Sequence, residues 1–194
     1  FSADIAIIPQ AAQALLPSGA SPMRDVILAR GERAIVTTGS AGVQSPYRIM
    51  SFKENMCTGY LERLEDYAFN PSLDISCPPP RLEPGLDGLD TECRLFVETL
   101  SSCVTPTFDK YGKDKNDPCD TCVNGARLSS PCAAFIKQHF SYRGCLAYHQ
   151  GDPDFSNKRT WRVYLGRSWE MWAKNYESIE LFDRFGNLVS AVNY

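Results

Sequence analysis

Cysteine is missing from both ends of this chain: all eight residues lie between Cys57 and Cys145. Histidine is scarce, with only His139 and His149 present. Nucleophilic catalysis needs a Ser or Cys beside a histidine that a carboxylate orients. No G-x-S-x-G occurs, and the TGSAG at 38–42 lacks its spacing. A P-loop and a G-x-G-x-x-G are also absent, so no catalytic residue, cofactor or metal is expected. A net charge of −3 over 194 residues gives no general drive toward nucleic acid. Without a long apolar run, no membrane span is expected. No Asn-X-Ser/Thr acceptor is usable, because Asn70 precedes Pro71. The chain begins at Phe1 rather than Met, so a processed form or a fragment is expected, without any signal peptide or anchor it once had.

The clustered cysteines carry the strongest signal. An even number in a loop-rich, proline-rich stretch reads as a disulfide framework, and therefore an oxidising compartment. An extracellular or cell-surface location is expected. The spacing of Cys93, Phe96 and Leu100 predicts a helix, with Thr91 as its cap. SSPCAAFIKQHFSYRGC predicts a second, capped by Ser129 or Ser130, with Pro131 in its first turn and Gly144 at its end. An antiparallel pair of such helices would place Cys93 opposite Cys145, and Cys103 opposite Cys132. That leaves Cys57–Cys77 to close the proline-rich loop and Cys119–Cys122 to pair locally. The CDTC motif also admits a zinc knuckle or a redox pair. A structural bridge is preferred, because there is one CxxC and it sits in the polar stretch 104–128.

The flanks read as strands. Residues 4–8 (DIAII) form one that Pro9 ends, and residues 10–16 form one or two helical turns. VILARGERAIVTTG predicts a hairpin with Gly31 at its turn. Residues 47–52 add a strand. WRVYL alternates, with Trp161, Val163 and Leu165 on one face. SIELFDRFGNLVSAVNY predicts a second hairpin turning at residues 183–187. The expected organisation is residues 1–56 and 160–194 forming one sheet-built domain, with 57–159 inserted. Leu181 is placed in its core. His139 and His149 read as solvated or partly buried, and Asp152-Pro153-Asp154 as a turn rather than a calcium loop.

The end of the chain resembles the lamin-tail domain family, through Trp172, Ile179, Leu181, Asp183, Gly186, Val189 and Tyr194. RGERAIVTTG at 30–39 is similar to that family's strand ending in Thr-Gly. NMCTGYLE and the paired-cysteine helices resemble an insertion in lamin-tail-like surface proteins of bacteria. The resemblance implies a mainly β, immunoglobulin-like β-sandwich carrying a disulfide-stapled α-helical hairpin. It implies a non-enzymatic structural or interaction module of a bacterial cell surface. The family's early strands have no counterpart here, which implies a chain that starts mid-domain, a reduced sandwich, or a strand supplied by another chain; the first strand either pairs in its own sheet or takes part in strand addition. Ile5, Ile7 and Ile8 would donate a strand to a copy of the chain or to another surface protein, building a filament or layer. The alternatives are a secreted glycan-binding module and an accessory domain of a secreted hydrolase. For the former, Trp169 and Trp172, with Trp161, Tyr164 and Tyr176, would form a stacking face.

Overall fold

A computed structural model describes residues 7–16, 21–39, 43–44, 47–63, 68–112, 116–167, 178–182 and 185–193. Strands β1 to β6 run Ile7–Ala12, Met23–Ile27, Arg33–Thr37, Val43–Gln44, Tyr47–Arg48 and Phe52–Lys53. Helices α1 (Gly59–Glu62) and α2 (Thr91–Glu98) follow, then strands β7 (Cys122–Val123) and β8 (Ala126–Arg127). Helices α3 (Ser130–His139) and α4 (Tyr142–His149) precede β9 (Thr160–Tyr164), β10 (Ser178–Phe182) and β11 (Leu188–Asn193). The chain divides into two compact units. Phe1–Glu54 and Lys158–Tyr194 make one, and Asn55–Asn157 the other.

The first unit is built on a five-stranded sheet, ordered β2-β1-β6-β9-β3. β1 with β6 and β3 with β9 are parallel; the other two pairings are antiparallel. An immunoglobulin-like sandwich consists of two facing antiparallel sheets. The described residues hold this mixed sheet and three two-stranded ribbons. Helix and strand occupy 23% and 27% of the described residues, so the mainly β expectation describes the first unit rather than the whole.

Several local expectations are corrected. Pro9 does not end the first strand, because β1 continues to Ala12 through a bulge between Ile8 and Ala11. A bulge tolerates proline's missing N–H, and Gln10 N donates instead to Asp25 Oδ1 at 3.0 Å. Residues 10–16 contain no helix. Ala11 and Ala12 are fully buried in the sheet, where packing overrides alanine's helical preference. The β2–β3 hairpin does not form, since these strands are the sheet's opposite edges. Gly31 does make a turn, at φ +81°. The connection is then pinned by Glu32. Its Oε2 accepts from Ala29 N and from Trp161 Nε1, each at 3.0 Å, and its Oε1 from Lys53 Nζ at 2.7 Å. Burial disfavours the charge, but donors from Lys53, Ala29 and Trp161 outweigh it and hold the Glu32 carboxyl below its ordinary value.

β9 puts Trp161 and Val163 on one face as expected, and its other face is covered as well. Trp161 and Val163 pack with Ile8, Ala11 and Val26. On the other face Arg162 Nε donates to Glu54 Oε1 at 2.6 Å, with both side chains buried. The C-terminal hairpin forms as expected, but β10 and β11 pair with no other strand among the described residues. Leu181 is 52% exposed and so is not a core residue.

In the second unit, α2 and α3 start side by side rather than forming an antiparallel hairpin. Asp90, not Thr91, caps α2: its Oδ1 accepts from Cys93 N at 2.7 Å. Its Oδ2 accepts from the Ser129 hydroxyl at 2.8 Å, and Ser129 caps α3. Cys93 and Cys132 are each three residues past a cap, and they bond to one another. The expected Cys93–Cys145, Cys103–Cys132 and Cys57–Cys77 pairs are therefore replaced by Cys93–Cys132, Cys57–Cys145 and Cys77–Cys103. The local Cys119–Cys122 bridge is as expected, and no cysteine is free. The Asp90 carboxyl is lowered, chiefly by the Cys93 amide and then by Ser129. Val97, Phe135, Ile136 and Phe140 fill the core beneath the bridge.

Breaking the buried Arg162–Glu54 pair from one side leaves a stranded charge. Arg162→Ala is expected to lower unfolding free energy by about 3–5 kcal/mol, and Arg162→Met with Glu54→Leu to recover most of that. Denaturant titration of the three proteins reads both outcomes.

Candidate functional site

The second expected helix is two helices. Phe140 leaves helical geometry with ψ 62°, and Ser141 then caps α4, its hydroxyl accepting from Gly144 N at 3.0 Å. Gly144 lies inside α4 rather than at a helix end. A Cβ there would collide with the carbonyl oxygens of Gln138 and His139. This close approach packs the first turn of α4 against the last turn of α3; His139 and His149 are the final residues of the two helices.

Both histidines converge on one carboxylate. Glu83 follows a 3-10 turn at Pro80–Leu82, and its N–H donates to Pro80 O. Its Oε2 lies 3.0 Å from His139 Nδ1, and its Oε1 lies 3.2 Å from His149 Nε2. His149 Nδ1 is 2.7 Å from Asp152 Oδ2. The His139 ring stacks on Phe135 at 4.0 Å and on Tyr148 at 3.6 Å between centroids. Exposure is 4% for His139, 5% for His149 and 5% for Glu83, so neither histidine is solvated. Burial, and then the Glu83 charge, push the Tyr60 phenol of α1 upward. The arrangement buries one carboxylate between two imidazole rings. It joins residue 83, two helix ends and the turn at Asp152.

The other candidate residues fall as follows. Trp161 is 1% exposed and belongs to the sheet core, so it offers no sugar-stacking surface. Trp169, Trp172 and Tyr176 lie outside the described residues, as do Ile5, Asp183 and Tyr194. Ile7 and Ile8 pair with Ile27 and Val26 of the chain's own sheet, so they are not a free donor strand. Cys119–Cys122 staples a small hairpin whose turn, Asn124-Gly125, has φ of 51° and 77°. That left-handed pair is the usual hairpin geometry. Gly125 N donates to Asp109 Oδ2 at 2.8 Å. A small open cavity beside it holds Asp117 and Arg127, already paired with each other. Asp152 is a histidine partner within a turn. No helix among the described residues is long and apolar enough to cross a membrane.

No family model, curated protein or solved structure matches the chain.

Because Gly144 sets the close packing of α4's first turn on the end of α3, Gly144→Ala is expected to cost about 1–3 kcal/mol or more through overpacking. The exposed Ala147→Gly in the same helix should cost only about 0.5–1 kcal/mol. Thermal unfolding of the oxidised proteins compares them.

Proposed function

We propose that the chain is a non-enzymatic, extracellular structural and interaction module, in the manner of the lamin-tail-like surface proteins its sequence resembles. Four disulfides confined to one unit support an oxidising location. Both histidines have a ring nitrogen committed to the buried Glu83 carboxylate, and His149 a second to the partly exposed Asp152, which supports a structural use for them.

The observation that carries the interaction role is the β10–β11 ribbon. Leu181, Phe182, Leu188 and Val192 are more than half exposed, at 52%, 51%, 56% and 58%, and Phe185 at the turn reaches 73%. Two-stranded ribbons are marginal in water without a further strand or a packed face. The two edges differ. β10 carries Glu180, whereas β11, Leu188–Asn193, carries neither charge nor proline. Natural edges are usually guarded by such residues. An unguarded β11 suits antiparallel pairing with β11 of a second copy, with no like charges opposed. That contact is self-complementary and closes as a dimer. A filament or layer would require a second contact.

Light scattering across a concentration series tests the reading. The wild-type chain is expected to dimerise, and Val189→Lys with Val192→Lys to remain monomeric with its melting temperature retained. Monomeric wild type at every concentration, or a dimer indifferent to these lysines, overturns it. Leu181→Ala should change stability by no more than about 0.5 kcal/mol, as for other exposed positions.

A further inference from the structure

We infer that Glu83, His139, His149 and Asp152 form a proton-dependent clasp: His149 is held as imidazolium by carboxylate oxygens at both ring nitrogens, and losing that proton releases the end of α4 from residue 83. The argument begins with hydrogen-bond roles. A carboxylate only accepts, and a neutral imidazole has one N–H. His149 faces Asp152 Oδ2 through Nδ1 and Glu83 Oε1 through Nε2. Both contacts are satisfied only when both nitrogens carry protons. In the neutral ring, one lone pair points at a carboxylate oxygen in a buried site, where such a mismatch is costly.

The surrounding groups support the assignment. Glu83 faces the site from the turn after the prolines, His139 and Phe135 from α3, and Tyr148 from α4. Asp152 faces it from the turn beyond α4, and Tyr60 from α1 with its phenol pushed upward. A positive ring in the last turn of α4 also complements that helix's dipole. Burial opposes the charge on His149, but Asp152 and then Glu83 outweigh it, so the ring titrates above its ordinary 6.5. A raised histidine contributes its full stability below the unfolded value, and loses it as pH climbs through the folded value. The clasp is therefore shut in mild acid and opens toward alkaline pH.

The disulfides make the opening local. Cys132, in the first turn of α3, is tied to Cys93. Cys145, one turn before His149, is tied to Cys57. The helix ends beyond these points carry the histidines.

Nitrogen NMR of the fully oxidised full-length chain reads the His149 ring directly, and hydrogen exchange reads the backbone. The two ring nitrogens should both be protonated at pH 6. Protection of the Gln150 and Asp152 amides, after correction for intrinsic exchange, should fall by up to about tenfold per pH unit between the ordinary histidine value and the raised folded one, and level off above it, as a one-proton equilibrium requires. Asp152→Asn, at a partly exposed site, should keep the fold and move the midpoint to lower pH. His149→Gln, if it folds, should abolish the pH dependence. A neutral His149 ring at pH 6, flat protection through its titration, or an Asp152→Asn midpoint equal to wild type would overturn the inference.

Discussion

Two helices that begin side by side bring two positive dipole ends together, and the second unit depends on one carboxylate that serves both. Asp90 caps α2 with one oxygen and accepts the Ser129 hydroxyl with the other. Negative charge at this point suits both helix starts. The Cys93–Cys132 bridge fixes the same junction covalently, so the direction of α3 is set at its first turn. Everything that follows inherits that direction: the break at Phe140, the turn back into α4, and the meeting of His139 and His149 at Glu83.

The first unit uses a parallel device. Glu32 sits in the connection between the sheet's two edge strands and ties that connection to Lys53 of β6 and Trp161 of β9. In both units an acidic side chain from an irregular segment holds regular elements in register. In the chain-entropy picture, the bridges rank by the loop they close. Cys57–Cys145, separated by 88 residues, contributes about 4.6 kcal/mol, and Cys119–Cys122, separated by 3, about 2 kcal/mol. The long-range staple belongs to α4, whose far end is held by the histidine cluster.

What could be read from the residues was local. Ser129 and Pro131 announced α3, strand composition announced β9 and the C-terminal hairpin, and CDTC announced its own bridge. What could not be read depended on distant partners. Gly31 between two β-branched runs looks like a hairpin turn, and nothing nearby reveals that Lys53 and Trp161 claim Glu32. Cys93 and Cys145 would face each other if SSPCAAFIKQHFSYRGC were one helix; the S-Y-R-G cap inside it was the overlooked signal. Glu83, flanked by prolines, carries no periodicity that marks it as buried. His149 and Asp152, three residues apart, were the one visible trace of the cluster. Leu181 has the alternation of a core strand, which sequence alone cannot distinguish from a strand awaiting a partner.

The order in which the chain emerges during synthesis conflicts with the order in which the sheet is assembled. β9 joins β6 to β3, yet it lies beyond the whole Asn55–Asn157 unit. Until it appears, β3 has no neighbour in the sheet and the arginine partner of Glu54 does not exist. Glu54 N bonds Thr160 O at 2.9 Å, so the two stems of the interruption meet in the finished sheet. The stapled unit has all its cysteines and its own core within one continuous stretch, so it is free to fold and oxidise first. Its folding shortens the loop that the sheet must close, and the slow, non-local step becomes a short-range one.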